Sequence, residues 1–261
     1  MEFENIIAEL NDGIEYITLN RPQVLNALNI DTVSELRDAI EYAYRDDEVK
    51  VVIITGAGGR AFAAGADIAE MHALTPQGGR EMIANGQALM CEIEKLPKPV
   101  IAALDGYVIG GGLELALACD IRIASKKTQF AFPEPSLGII PGYGGSQRLG
   151  RVIGFGAAKY YCMTEERIDV QRAYELGLVG KICSDEVPVL EEANRIAAGL
   201  KERCPEALAA IKAVMREGQN ADIDTALDIE KKAFDKLFSS SARTERMGLF
   251  LEKQKNKKKK S

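Results

Sequence analysis

The first clear pattern in the chain is an alternation of apolar and polar residues over IEYITLN (14–20), the period of a half-buried strand, ended by Arg21-Pro22. Residues 31–44 change to a helical period, with Val33, Leu36, Ile40 and Ala43 on one face and Asp31-Thr32 as the expected cap. VKVVIITGAGG (49–59) is a continuous apolar run stopped by a glycine turn, the form of a strand covered on both faces. A second helix is predicted over 80–95 through Met82, Ile83, Ala88, Leu89 and Ile93. PVIAALDG (99–106) reads as another buried strand, GGGLELALACD (110–120) opens a helix, and IRIAS (121–125) is a short strand before an aromatic, proline-rich turn region. Strands and helices alternate, which predicts an α/β fold.

Near Asp185 the texture changes. Leu190, Ala193, Ile196, Ala197 and Leu200 form one helical stripe, and Leu208, Ile211, Val214 and Met215 form the next. Ile223, Ala226, Leu227, Ala233, Phe234, Leu237 and Phe238 form a third. Three amphipathic helices after an α/β core suggest a packing or oligomerisation module. The expected organisation is a core over 1–190 and a helical region over 191–261, with no internal repeat and no long linker between them.

Composition narrows the class without changing this picture. Of 261 residues, 46% are hydrophobic and 28% charged, too apolar a balance for a solvated coil. No apolar run approaches the roughly 20 residues that a membrane span needs. The opening MEFENIIAEL lacks a basic and then apolar leader, so no secretory signal is expected. The 33 basic and 39 acidic side chains give −6, unevenly spread. The last eleven residues, LEKQKNKKKKS, carry +5, so residues 1–250 carry −11, which argues against nucleic acid as the partner of the body. The tail reads as a solvated lysine run, or else as a site for an anionic ligand or an acidic surface.

The rare residues exclude several chemistries. Cysteines at 91, 119, 162, 183 and 204 include no C-x-x-C pair, the pattern of reduced, scattered thiols in a cytosolic protein and not of a zinc site or disulfide frame. The one histidine, His72, lies in the polar stretch AEMHALTPQGG without a G-x-S-x-G elbow, as a surface or loop residue would. Acid–base chemistry therefore falls to carboxylates, Tyr, Lys or Cys. No G-x-x-x-x-G-K-[ST] loop is present.

Three glycine-bearing turns remain. Thr55-Gly56-Ala57-Gly58-Gly59 lacks the third, helix-opening glycine of a dinucleotide loop and any acidic strand end about 20 residues on, so it reads as a turn after a core strand. Phe62-Ala63-Ala64-Gly65-Ala66-Asp67-Ile68 contains small residues that let a ligand approach backbone N–H groups. Gly110-Gly111-Gly112-Leu113-Glu114 stands where a strand hands over to a helix, whose free N–H groups favour an anion or oxyanion. Either could also be a tight turn alone. Glu114 falls in the first helical turn, where the dipole favours the ionised form and a base or water-orienting role; the alternative is a routine helix-stabilising glutamate. Glu134 sits between two prolines in Phe132-Pro133-Glu134-Pro135, with Phe130, Leu137, Ile139 and Ile140 nearby. Such apolar surroundings keep a carboxyl protonated, as a general acid requires.

These segments carry a resemblance. NRPQVLNAL (20–28), FAAGADI (62–68), GYVIGGGLELALACDIRIAS (106–125), FPEPSLGIIPGYGGSQRL (132–149) and GLFLEK (248–253) resemble the crotonase superfamily, and specifically its enoyl-CoA hydratases. The likeness runs from about residue 5 to residue 255. It implies a ββα superhelix core and a C-terminal helical region that drives trimerisation, as a trimer or dimer of trimers. It implies reversible syn addition of water to a short-chain trans-2-enoyl-CoA, with an oxyanion hole from the Ala66 and Gly111 N–H groups. Glu114 would orient and deprotonate water and Glu134 would govern proton delivery to Cα. Ala27, Leu28, Ala64, Gly65, Asp67, Ile68, Gly110 and Gly142 would bind substrate. Phe250 and Lys253 would meet the CoA adenine and 3′-phosphate, leaving the later lysines, 255 and 257–260, as a disordered solvated tail. The resemblance implies no cofactor and no metal, since CoA is part of the substrate. An isomerase of the same superfamily and a non-catalytic acyl-CoA-binding protein are the alternatives; the presence of both glutamates favours hydration. Residues 70–92, which shape the acyl pocket in relatives, give no legible chain-length signal.

Overall fold

The structure is a computed structural model that describes residues 3–258, with side chains described through residue 255. The chain divides into two compact units between Glu202 and Arg203.

The first unit opens with an antiparallel hairpin of β1 (Ile6–Asn11) and β2 (Ile14–Leu19), with Ile6 opposite Leu19. Its turn residues Asp12 and Gly13 both have positive φ, 49° and 75°, the geometry that matches the twist of a two-residue hairpin. Helix α1 (Ile30–Arg45) follows and buries the expected stripe of Val33, Leu36, Ile40 and Ala43. Its cap is Asn29, not Asp31-Thr32: the Asn29 side chain accepts the Thr32 N–H, while Asp31 already stands in the first turn.

Three strand–strand–helix turns then build the core. The first is β3 (Val51–Gly56), β4 (Ala61–Ala63) and a helical pair, α2 (Ile68–Ala73) and α3 (Pro76–Lys95). Helix α3 starts four residues ahead of the expected 80, because Thr75 caps it and Pro76 fits its first position. The second turn is β5 (Val100–Leu104), β6 (Tyr107–Ile109) and α4 (Gly111–Ala118); the third is β7 (Ile121–Ala124), β8 (Gln129–Ala131) and α5 (Gly145–Ile153). Then come α6 (Phe155–Thr164), β9 (Ile168–Asp169), α7 (Val170–Glu175), β10 (Lys181–Ile182) and α8 (Val189–Lys201).

The leading strand of each turn joins a six-stranded sheet of order β1-β2-β3-β5-β7-β10, and the second strand joins a four-stranded sheet of order β4-β6-β8-β9. β2, β3, β5 and β7 are mutually parallel, and β4, β6 and β8 are parallel in the smaller sheet. This is the α/β superhelix that the resemblance implied.

Both faces of the larger sheet are covered. Ile17, Leu19, Val52 and Ile54 look into the main core with α1, while Ile14, Val51, Ile53, Ile101 and Ile123 pack against Val189, Ala193 and Ala197 of α8. The stripe over 190–200 therefore covers the sheet instead of joining the C-terminal helices, and its two alanines let the helix lie close.

The second unit contains α9 (Pro205–Gly218), α10 (Ile223–Phe238) and α11 (Ser241–Lys258), with α9 and α10 packed together. Helix α11 carries the backbone of Lys255, Lys257 and Lys258, which departs from the disordered tail expected from residue 255; Lys259 and Lys260 lie outside the described residues. Helix capping geometry does not stop a run of good helix formers such as Lys, Gln and Glu, and that composition accounts for the difference. Among the described residues, no helix is long and apolar enough to cross a membrane.

Candidate active site

The site forms where α4 begins. Gly110 follows β6 and caps α4 with φ 51° and ψ −124°, and a Cβ on Gly112 would stand 2.3 Å from the Ala63 carbonyl oxygen, so only glycine lets the helix start against the end of β4. Segment 64–66 lies alongside. An isolated bridge uses the Leu28 N–H to the Gly65 oxygen and the Asp67 N–H to the Leu28 oxygen, which turns the intervening Ala66 N–H away from Leu28. The Ala66 nitrogen lies close to the helix start: a Cβ on Gly111 would stand 3.5 Å from it.

Glu114 is one turn into α4 and only 2% exposed, and its Oε1 accepts the Gly145 N–H at 2.6 Å. The expectation of a dipole-stabilised carboxylate does not hold in its simple form. Burial pushes Glu114 up to about 7, against the lowering effect of the Gly145, Tyr143 and Gly144 N–H groups and the Arg148 charge. Loss of water around a carboxyl outweighs a helix dipole here.

The donating loop is itself held. Arg148 donates from Nη1 to the Tyr143 oxygen at 2.8 Å and from Nε and Nη2 to Glu94 at 2.7 and 2.8 Å, and Gln87 donates to the Gly142 oxygen at 2.8 Å. The Tyr143 ring is 2% exposed and packs so closely on α3 that a Cβ on Gly86 would fall 2.2 Å from it.

Glu134 opens a short 3-10 turn, Glu134–Leu137, that Gly138 closes with φ 73°. Its carboxyl is buried, and Oε2 has no hydrogen-bond partner among the described residues. Oε1 lies over Gly110, where a Cβ would come within 2.7 Å. Burial pushes Glu134 up to about 7, and the charges of Glu114 and Glu165 add to the rise. Glu114, Glu134, Ala64, Gly65, Ala66, Ile68, Gly110, Gly111 and Gly142 all line one cavity of about 120 Å³. Two buried carboxyls with pKa values raised to about 7 in one cavity are suited to moving a proton on each side of a small electrophile.

The family model for enoyl-CoA hydratase/isomerase matches residues 9–260. The chain belongs to the enoyl-CoA hydratase/isomerase family. Within this family it is 43% identical to the crotonyl-CoA hydratase of Syntrophomonas wolfei, with 98% of each chain covered. It is 42% identical to the short-chain-enoyl-CoA hydratase of Clostridium acetobutylicum, covering 98% of this chain and 97% of the relative. Among solved structures, the enoyl-CoA hydratase of Bacillus anthracis superposes with a TM-score of 0.92 at 37% identity, covering 96% of this chain and 97% of that one.

The remaining residues expected from the family resemblance are less uniformly placed. Leu28 is 1% exposed with its side chain in the core, so only its backbone reaches the site's edge, and the Ala27 oxygen accepts Arg21 Nη1 at 2.6 Å. Asp67 caps α2 and pairs with Arg21 at 3.1 Å; although burial works against it, the Glu70 N–H and Arg21 hold its carboxylate below the usual range. Neither Ala27, Leu28 nor Asp67 lines the cavity. Phe250 and Lys253 lie exposed on α11 in the second unit. His72 is exposed on α2. The cavity also uses Tyr143 and Ile140, which the pattern analysis did not assign to a site, and Met82 and Ile83 from the 70–92 region that shapes the acyl pocket in relatives, where the pattern singles out no residue for that role. Met82 and Ile83 follow the helical period of α3 like any core residue, and only tertiary contact distinguishes them.

Proposed function

We propose that this chain is a short-chain enoyl-CoA hydratase, a hydro-lyase that adds water reversibly and syn across a trans-2-enoyl-CoA to give a 3-hydroxyacyl-CoA. The observation that carries the reading is that Glu114, Glu134, Ala66 and Gly111 all line one small cavity. The thioester carbonyl would accept hydrogen bonds from the two N–H groups, which stabilise the enolate as charge moves onto oxygen; loss of one such donor costs roughly 10²–10³ in rate elsewhere. Glu114, ionised, orients a water and takes its proton as oxygen adds at Cβ. Glu134, protonated, delivers a proton to Cα. Burial raises both carboxyls to about 7 and the Glu114 charge adds to the rise at Glu134, which favours Glu134 as the protonated partner of the two.

Tyr143 and the apolar side chains beside it give the acyl chain an apolar lining, and the short-chain preference is carried over from the similar hydratases. The reaction needs no cofactor, because CoA arrives with the substrate. In the proposed assembly, a trimer or dimer of trimers acting in the cytoplasm, the exposed Ile211, Met215, Ile223, Leu227 and Phe234 of the second unit supply apolar contact surface. Phe250 and Lys253 would there meet the CoA adenine and 3′-phosphate.

The test is the decay of the conjugated thioester's ultraviolet absorbance when crotonyl-CoA meets enzyme. Glu114→Gln and Glu134→Gln should each lower kcat by roughly 10²–10⁴-fold, the usual worth of a positioned acid or base. Near-wild-type rates in both variants would overturn the mechanism.

A further inference from the structure

One backbone feature near the site remains without a role in the reaction. Glu165, which closes α6, has φ 58° and ψ 13°, the left-handed region that a side chain with a Cβ adopts at a cost. Glycine would occupy this position without strain, and the other left-handed non-glycine residues among those described, Asp12, Leu25 and Asn26, sit in the β1–β2 hairpin turn and the loop before α1. Strain retained at one residue calls for a compensating contact. Glu165 has one: its Oε1 accepts the Ser136 N–H and its Oε2 accepts the Ser136 Oγ–H. Ser136 belongs to the 3-10 turn that begins at Glu134.

We propose that Glu165 is a positioning residue for Glu134: its carboxylate grips both donors of Ser136, and the left-handed backbone exists to aim that grip. The inference rests on the hydratase reading of Glu134. The turn is short of other anchors. Pro133 and Pro135 have no N–H, and the turn's own backbone bonds are Gly138 N–H to the Pro135 oxygen and Ile139 N–H to the Glu134 oxygen. Those bonds close the turn upon itself without tying it to a neighbouring element. Ser136 to Glu165 ties it to α6. Since Glu134 Oε2 has no partner of its own, the direction of the carboxyl depends on the backbone that carries it. A displacement of an ångström at a reacting group can cost about 10² in rate.

The charge of Glu165 has a second effect of the same sign as burial. The titratable groups that face Glu134 are Glu114 from α4, and Glu165 and Cys162 from α6, with the buried Tyr143 phenol beside Glu114. The charges of Glu114 and Glu165 both favour the protonated form of Glu134.

Glu165→Gly separates positioning from stability, because it removes the grip and relieves the strain together. Thermal midpoint and pH–rate profiles with crotonyl-CoA are measured for the wild type, Glu165→Gly and Glu165→Gln. The expected result for Glu165→Gly is an unchanged or higher Tm, a kcat lower by about tenfold or more, and KM within about twofold, as for a misaimed acid. The alkaline limb of kcat should move to lower pH in both variants, since both remove the charge. Glu165→Gln, whose amide oxygen still accepts from Ser136, should recover much of kcat at its own optimum. Wild-type kcat and pH limbs in Glu165→Gly would overturn the proposal, as would a fall in kcat that tracks a fall in Tm with the limbs unmoved. A wild type that does not hydrate crotonyl-CoA would instead refute the hydratase reading.

Discussion

Gly110 serves both halves of the site at once. Its φ of 51° with ψ −124° is a conformation for glycine, and its missing Cβ leaves the space that Glu134 Oε1 occupies. Gly110→Ala should therefore lower kcat by about 10² or more, because the new methyl displaces the acid and twists the start of α4. Strain of this kind also costs about 1–3 kcal/mol of stability. Gly79 is the matching control: it lies in α3 with nothing within 4 Å of a new Cβ. Gly79→Ala should raise stability by about 0.4–1 kcal/mol in urea denaturation and leave kcat at the wild-type value. A similar loss of rate in both variants would mean that the space at Gly110 is not what matters. At this scale the sequence was readable where the chemistry is local: a glycine run before a helix, and a glutamate between prolines. It was unreadable for Tyr143, Arg148 and Glu165, whose roles depend on which residue each meets across the fold.

Elements were legible in proportion to their length. The strands around 14–20, 49–59 and 99–106 and the helical stripe over 31–44 stand close to where their periods put them. β4, β6, β8 and β9 have three, three, three and two residues, too few to display an alternation, so the smaller sheet has no period to read. Helix α8 shows a different limit: an amphipathic stripe reveals that a face is buried but not what covers it. Helix α3 is where packing of an element reaches the chemistry. It bears on the 143–145 loop through Gly86 and Tyr143, and that loop donates to Glu114. Gly86→Ala should overpack this contact and cost about 1–3 kcal/mol, with kcat falling as the loop shifts. Adding Tyr143→Leu should return most of the lost stability by emptying the space that the ring fills. If the double variant is no more stable than Gly86→Ala alone, the ring is not the obstructing group.

Across the whole molecule, three buried carboxyls among the described residues are pushed up to about 7: Glu114 and Glu134 in the site, and Glu15 on β2. Glu15 has no part in the reaction. It is 2% exposed, with Oε2 unpartnered among the described residues, and burial raises it first, with the Asp46 charge adding to the effect. For such an acid the folded state holds its proton longer than the unfolded chain, whose carboxyl titrates near 4.5. The unfolded state therefore gains more by ionising, and stability is lost as pH rises from about 4.5 through about 7. Glu192 acts in the opposite sense: Arg195 and Lys181 hold it down to about 2, so its contribution is present above 4.5 and is lost as pH falls toward 2. These windows do not overlap, which allows each to be read separately. Glu15→Gln keeps the shape and removes the ionisation. The variant should melt above the wild type at pH 8.5 and show a much smaller difference at pH 5, where the wild-type carboxyl is already protonated in the fold. Since Glu15 lies outside the cavity, kcat for crotonyl-CoA should not change. An equal Tm difference at both pH values would show that the substitution acts through packing and not through the buried charge.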